Sequence, residues 1–313
     1  MKNLKKTMTA ALSALMCSVV LFASSAVRAE LNIFATVPEW GALAQALGGD
    51  QVKVFVATAA QQDPHHIQAR PSLIARARNA QLVIATGAEL EIGWLPIVQR
   101  DSGNRSIQTG QPGYLEAAQY VTLLDIPKSV DRSMGDVHAE GNPHIQTDPR
   151  NLLPIAQALS ARMAQLDPSQ SQHYQNLLAR FVSDWQTRLS QWALIAKPLH
   201  GVRIWAQHDG FPYMNAWLGL IQIGTLEPRP GVEPSIAYLS EVLQRQKSEQ
   251  ARMIVVASYL SDAPSKWFSE KSGLPVAILP FTVGGNAQTK TLAALYDETI
   301  SRLLKALEQG NRS

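Results

Sequence analysis

The chain has 313 residues, 28 Lys and Arg against 25 Asp and Glu, and a formal net charge of +3. Four basic residues (Lys2, Lys5, Lys6 and Arg28) lie in the first 29 positions with no acidic residue among them, so the remainder carries 24 basic against 25 acidic side chains. A near-neutral remainder argues against a nucleic-acid partner, which requires a basic face. The single cysteine, Cys17, leaves no disulfide framework and no thiolate chemistry downstream of it.

Residues 1–29 read as an export signal peptide. The three lysines precede an apolar run at 8–23, and small residues lead to Val27 and Ala29, the recognition pair before cleavage at Glu30. The run is too short, and ends too abruptly in SSAVRA, for a membrane anchor. Met16 is too large for the position before the cysteine of a bacterial lipoprotein signal.

From position 31 strands and helices alternate. LNIFAT (31–36) and VKVFVAT (52–58) are short buried strands around a helix at 38–47. A helix at 70–79, the strand QLVIATG (81–87), a helix at 91–99 and a fourth strand YVTLL (120–124) follow. Such alternation specifies a parallel sheet covered on both faces. The polar, turn-rich stretch 127–142 has no periodicity and reads as a long loop, a kind that more often carries function than not. Asp148 then caps a helix at 149–166.

The stretch 167–198 organises the rest. Tyr174, Leu178, Phe181, Trp185, Leu189 and Trp192 recur at steps of three and four, which puts one apolar stripe on a helix. Asp167, Pro168 and Gln170 supply start signals, and Pro198 the stop. At about 1.5 Å per residue this predicts a spine of roughly 45 Å. Beyond it come VRIWAQ (202–207), a helix at 211–217, LIQIGTL (220–226), a helix at 235–246, MIVVAS (253–258), a helix at 263–272, VAIL (276–279) and a closing helix at 289–307. The expected fold is α/β: two lobes (30–166 and 199–313), each a mainly parallel sheet flanked by helices, joined by one long rigid helix (167–198).

Of the seven histidines, His173 on the spine and His200 in a turn read as structural or solvated. His65 and His66 follow the strand that ends at 58, His208 sits at the end of VRIWAQ, and His144 precedes a helix. In open parallel sheets ligands lie beyond the carboxyl ends of the strands. Imidazoles from both lobes therefore have a common place to meet, and a metal is permitted there.

Three motifs in this order around a long helix resemble the periplasmic metal-binding proteins of ABC importers for zinc and manganese. DPHHIQARPS is similar to that family's first ligand motif, GNPHIQTDP to its second and HDGFPYM to its third, and the resemblance covers essentially all of 31–307. It implies His65, His144 and His208 as metal ligands, with His66 facing away unless the register is swapped. It also implies a two-lobed periplasmic solute-binding protein that hands a divalent metal ion to an ABC-transporter membrane permease, acting as a monomer and not as an enzyme. Three imidazoles suit zinc or copper better than manganese, which prefers oxygen ligands; Zn2+ is chosen partly from the resemblance.

One departure is evident. Where many family members carry an LDP whose carboxylate completes the site, this chain has Ile278-Leu279-Pro280 followed by FTVGG. Water, His138 or a carboxylate such as Asp209 is left as the fourth ligand. The 127–142 loop also lacks the His-rich run of some zinc-specific members. Gly284-Gly285 lacks the GK[ST] of a phosphate cradle and reads as a turn, as does the stretch 227–231. Two other functions fit the same residues: a zinc-dependent hydrolase with three His and a water, although no HExxH is present, and a receptor for a chelated metal or small organic ligand.

Overall fold

The computed structural model describes residues 30–129, 135 and 137–311; the export signal expected at 1–29 lies outside the described residues. The first half runs β1 (Leu31–Ala35), α1 (Pro38–Gly48), β2 (Val52–Val56), α2 (Pro71–Arg78), β3 (Leu82–Ala85), α3 (Leu95–Ser102), β4 (Tyr114–Glu116) and α4 (Leu152–Leu166). After α5 (Ser171–Ile195), the second half runs β5 (Arg203–Ala206), α6 (Pro212–Leu218), β6 (Ile221–Thr225), α7 (Ile236–Glu249), β7 (Met253–Ala257), α8 (Ala263–Ser272), β8 (Val276–Leu279) and α9 (Leu292–Gly310). Each half holds one wholly parallel sheet. The strand orders are β2-β1-β3-β4 and β6-β5-β7-β8, the same topology twice.

Strand alternation sorts the side chains into layers. In the first sheet Leu31, Ile33, Leu82 and Ile84 face an inner core with Trp40 and Leu43 of α1 and Leu159 of α4. Phe34, Val83 and Ala85 face an outer cluster with Leu73 of α2 and Val98 of α3. The second sheet repeats this: Ile204, Met253 and Val255 point inward with Leu303 of α9, and Trp205, Ile254 and Val256 outward with Val242 of α7 and Phe268 of α8. β3 and β7 are buried at every position, because helices cover both faces.

The inner cores of the two halves are continuous, and α5 lies across them. Its stripe is as the spacing predicts. Tyr174, Trp185 and Trp192 are buried, and Leu178, Phe181 and Leu189 pack against the same core. Trp185 Nε1 donates to Pro149 O (2.8 Å) on the first-half side, and Trp192 Nε1 donates to Asp297 Oδ1 (2.6 Å) of α9 on the other. The ring of Tyr296, also on α9, packs against both tryptophans at 5.7 and 5.3 Å. Buried aromatics of this size contribute both apolar area and specific edge contacts.

Two expectations change. The α-helix is 25 residues, about 37 Å at the usual rise, with 3₁₀ turns at 168–170 and 197–199. Asp167 makes no cap bond to the backbone; its carboxylate accepts from Ser169 Oγ (2.6 Å) and Tyr174 Oη (3.2 Å) instead. The fourth strand is 114–116, not 120–124. The backbone at Leu124 is used elsewhere: its O accepts from Asn142 N (2.8 Å) and its N donates to Tyr213 Oη (3.0 Å). Those bonds shape the mouth between the two sheets.

Candidate metal centre

His65 sits in the turn after β2, and two contacts fix that turn. The buried Trp94 donates from Nε1 to Pro64 O (3.0 Å), and Asp63 Oδ1 accepts from His65 N (3.0 Å). The same Asp63 oxygen lies 2.7 Å from His65 Nδ1. A carboxylate there places the proton on Nδ1 and leaves Nε2 as the electron-pair donor. Burial works against the Asp63 charge, but the hydrogen bond and proximity of His65 outweigh it and hold the carboxyl below its ordinary range. His66 is exposed, its ring 6.2 Å from that of His65, so the inward histidine of the pair is His65.

His144 is positioned by Asn142. Asn142 Oδ1 accepts from His144 N (3.0 Å), its Nδ2 donates to Asp209 O (2.8 Å), and its O accepts from Tyr213 Oη (2.7 Å). The last two partners belong to the second half, so the turn bearing His144 is stitched to the opposite sheet. Gly141 at φ 121° lets the chain pass Leu124 O, which a Cβ would meet at 2.8 Å. His144 is 2% exposed and its Nδ1 has no hydrogen-bond partner. Burial first, and then the facing rings of His65, His208 and His138, hold it well below the usual imidazole pKa. It is a neutral, buried imidazole.

His208 closes the third side from the end of β5. Its Nδ1 lies 2.8 Å from Glu227 Oε2, the carboxylate that also accepts from Gly231 N (3.0 Å). Burial alone would disfavour the charged ring; the Glu227 bond and charge outweigh it and raise the His208 pKa. Glu227 is the functional residue that sequence reasoning left in a turn. Its one mark in the sequence is an acidic residue two positions past a strand, which does not show that the strand lies beside β5.

The three rings converge. Centroids are 5.3 Å apart for His65 and His144, 5.8 Å for His144 and His208, and 6.5 Å for His65 and His208. Three imidazoles bound tetrahedrally to zinc at about 2.0–2.1 Å would have centroids roughly 5 Å apart. The first pair already has that spacing and His208 stands slightly wide. Among the described residues no group of three His, Cys, Asp or Glu donors is yet in the arrangement that holds an ion.

Around these rings, His138 stacks on His65 at 5.2 Å, and its neighbour Ala139 donates N–H to Glu89 Oε2 (2.5 Å). The described end of the 127–142 loop is therefore anchored, which its Gly-flanked sequence does not suggest. Asp209 Oδ1 accepts from Gln222 Nε2 (2.9 Å). Leu279, where a carboxylate was expected, is buried in the inner core. The following Phe281 packs edge-on against His144 at 5.1 Å. His173 and His200 lie apart from this cluster: His173 Nε2 is 3.1 Å from Gly48 O, and His200 is exposed beside Gly219.

Two parallel sheets of one topology, a helix between them and a cleft at their strand ends define a two-lobed solute-binding protein. The profile of the family described as "Zinc-uptake complex component A periplasmic" matches residues 33–310. The chain belongs to this family, the substrate-binding proteins of metal ABC importers, which are binding proteins and not enzymes. The "High-affinity zinc uptake system protein ZnuA" of Yersinia pestis is 22% identical over 294 residues, 90% of this chain and 88% of that protein. The "Manganese ABC transporter substrate-binding lipoprotein PsaA" of Streptococcus pneumoniae is 20% identical over 242 residues, 75% and 74% of the two chains. A solved structure, "Crystal structure of ZnuA", shares the fold with a TM-score of 0.73 at 22% identity, covering 90% of this chain and 98% of that one.

Proposed function

We propose that this protein captures zinc in the periplasm, with His65, His144 and His208 as ligands, and delivers it to an ABC-type membrane permease. The observation that carries the reading is the convergence of these rings from both lobes, two of them with a carboxylate on Nδ1. A carboxylate there orients the ring and strengthens it as a donor, the usual outer support of a zinc-bound histidine. The nature of the donor atoms supports zinc. Nitrogen ligands favour zinc over manganese, which prefers oxygen donors.

Zinc is cargo here, so the site must hold it and also release it. The described residues include no cysteine, and neutral imidazoles give up metal to protons. The continuous inner core beneath α5 favours small local movement over wide closure: His208 need shift only slightly toward the other two rings. Competition of zinc and manganese for the purified protein tests the metal. Zinc retained against a large excess of manganese is expected, and preferential manganese binding would overturn the choice.

A further inference from the structure

Glu39, the second residue of α1, is 1% exposed, and its Oε1 has no hydrogen-bond partner. The same is true of two other buried oxygens, Gln146 Oε1 and Thr282 Oγ1, in residues 6% and 8% exposed. All three residues line one cavity of about 20 Å³, which Pro64 and Phe281 also border. A cavity needs roughly 10–15 Å³ and two to four polar partners to hold a water. A single water has the groups these three oxygens need: two protons for Glu39 Oε1 and Gln146 Oε1 and a lone pair for the Thr282 hydroxyl.

The place of this cavity in the fold gives it a role. Gln146 lies two residues beyond His144 in the same 3₁₀ turn, Pro64 directly precedes His65, and Phe281 packs on the His144 ring. Glu39 thus stands behind the site, where the segments bearing two ligands meet the loop after β8. The turn's backbone is held separately, by Tyr296 Oη donating to Gln146 O (2.7 Å) and Thr147 Oγ1 donating to His144 O (2.9 Å). We propose that Glu39 is a positioning residue for the metal site: through a water shared with Gln146 and Thr282, it sets how deeply the His144 arm seats between the lobes.

Charge state supports an isosteric test. Burial raises the Glu39 carboxyl to about 7, against a smaller opposing pull from the Thr282 hydroxyl. Near neutral pH the uncharged acid is therefore well populated, and a Gln amide reproduces its shape and its acceptor oxygen.

The inference rests on the zinc-site reading, and the experiment separates the two. Zinc affinity is measured by chelator competition, and the visible spectrum of the cobalt(II)-loaded protein reports ligand geometry. Glu39→Leu is expected to weaken zinc by about tenfold, at the lower end for residues that support a ligand, and to alter the cobalt spectrum; Glu39→Gln restores both. Thr282→Val, which keeps side-chain shape, moves both readouts the same way by less, and it decides the matter if the Leu variant does not fold. A folded Glu39→Leu with wild-type affinity and spectrum, a Gln variant as impaired as Leu, or a silent Thr282→Val would overturn the proposal. Failure of the unaltered protein to bind zinc would instead overturn the zinc-site reading.

Discussion

In the first half of the molecule the carboxylate on His65 Nδ1 comes from Asp63, two residues away in the same turn. In the second half the carboxylate on His208 comes from Glu227, nineteen residues along, at the end of the neighbouring strand. The sheets have one topology, but His65 follows the edge strand β2, whereas His208 follows β5, the counterpart of β1. Their supports differ in kind. Asp63 is local and about one-third exposed, whereas Glu227 exists as a partner only once β5 and β6 have paired, and is then almost fully buried. A local support can form in a short peptide; a long-range one reports that the sheet is built.

Removing the proposed ligands themselves gives the largest expected effect and tests whether the two halves contribute equally. His65→Ala, His144→Ala and His208→Ala are each expected to weaken zinc by about 100-fold or more, at least about 2.7 kcal/mol, in a chelator-competition titration. An unaffected His208 variant would remove the second half from the site.

The carboxylates come next. Glu227→Gln is expected to cost about 10–100-fold in zinc affinity and Asp63→Asn about tenfold or less, because solvent already screens the more exposed acid. The two differ in pH dependence as well. Metal needs neutral imidazole, and His208 has a raised pKa, so as pH falls protons displace zinc at His208 first, while the depressed His144 stays neutral longer. Affinity is therefore lost toward acid. Glu227→Gln removes the main group raising the His208 pKa and should move that loss to lower pH; an unchanged midpoint in the pH titration would contradict the pairing.

The same contrast explains what could be read in advance. Short strands, the α5 stripe and the order of the three His motifs are local patterns, each set by spacing within a few residues, and they were legible. Glu227 was not, because nothing within reach of it in sequence shows that β6 will lie beside β5. Glu39 was hidden for a related reason: a Glu near the start of a helix is ordinarily solvated, and only the packing of α1 against the loop after β8 buries it. The misplaced fourth strand is the converse case. Residues 120–124 have a strand's composition, but Leu124 spends its backbone bonds on Asn142 and Tyr213, and the sheet edge falls to 114–116.

His138 carries the smallest expected effect. Its ring stacks on His65 and its loop is pinned at Ala139, yet a water can take the fourth zinc position. His138→Ala is expected to weaken zinc by about fivefold or less in the same titration. A loss equal to that of His144→Ala would make it a full ligand and give the first half three of four imidazoles.

The three-imidazole site is tested most directly by X-ray absorption at the zinc edge of the loaded protein, since the outer-shell scattering of an imidazole ring can be counted. A first shell of nitrogen and oxygen at about 2.0–2.1 Å with three imidazole rings is the expected result. A shell dominated by oxygen, or one with fewer than three rings, would contradict the site formed by His65, His144 and His208.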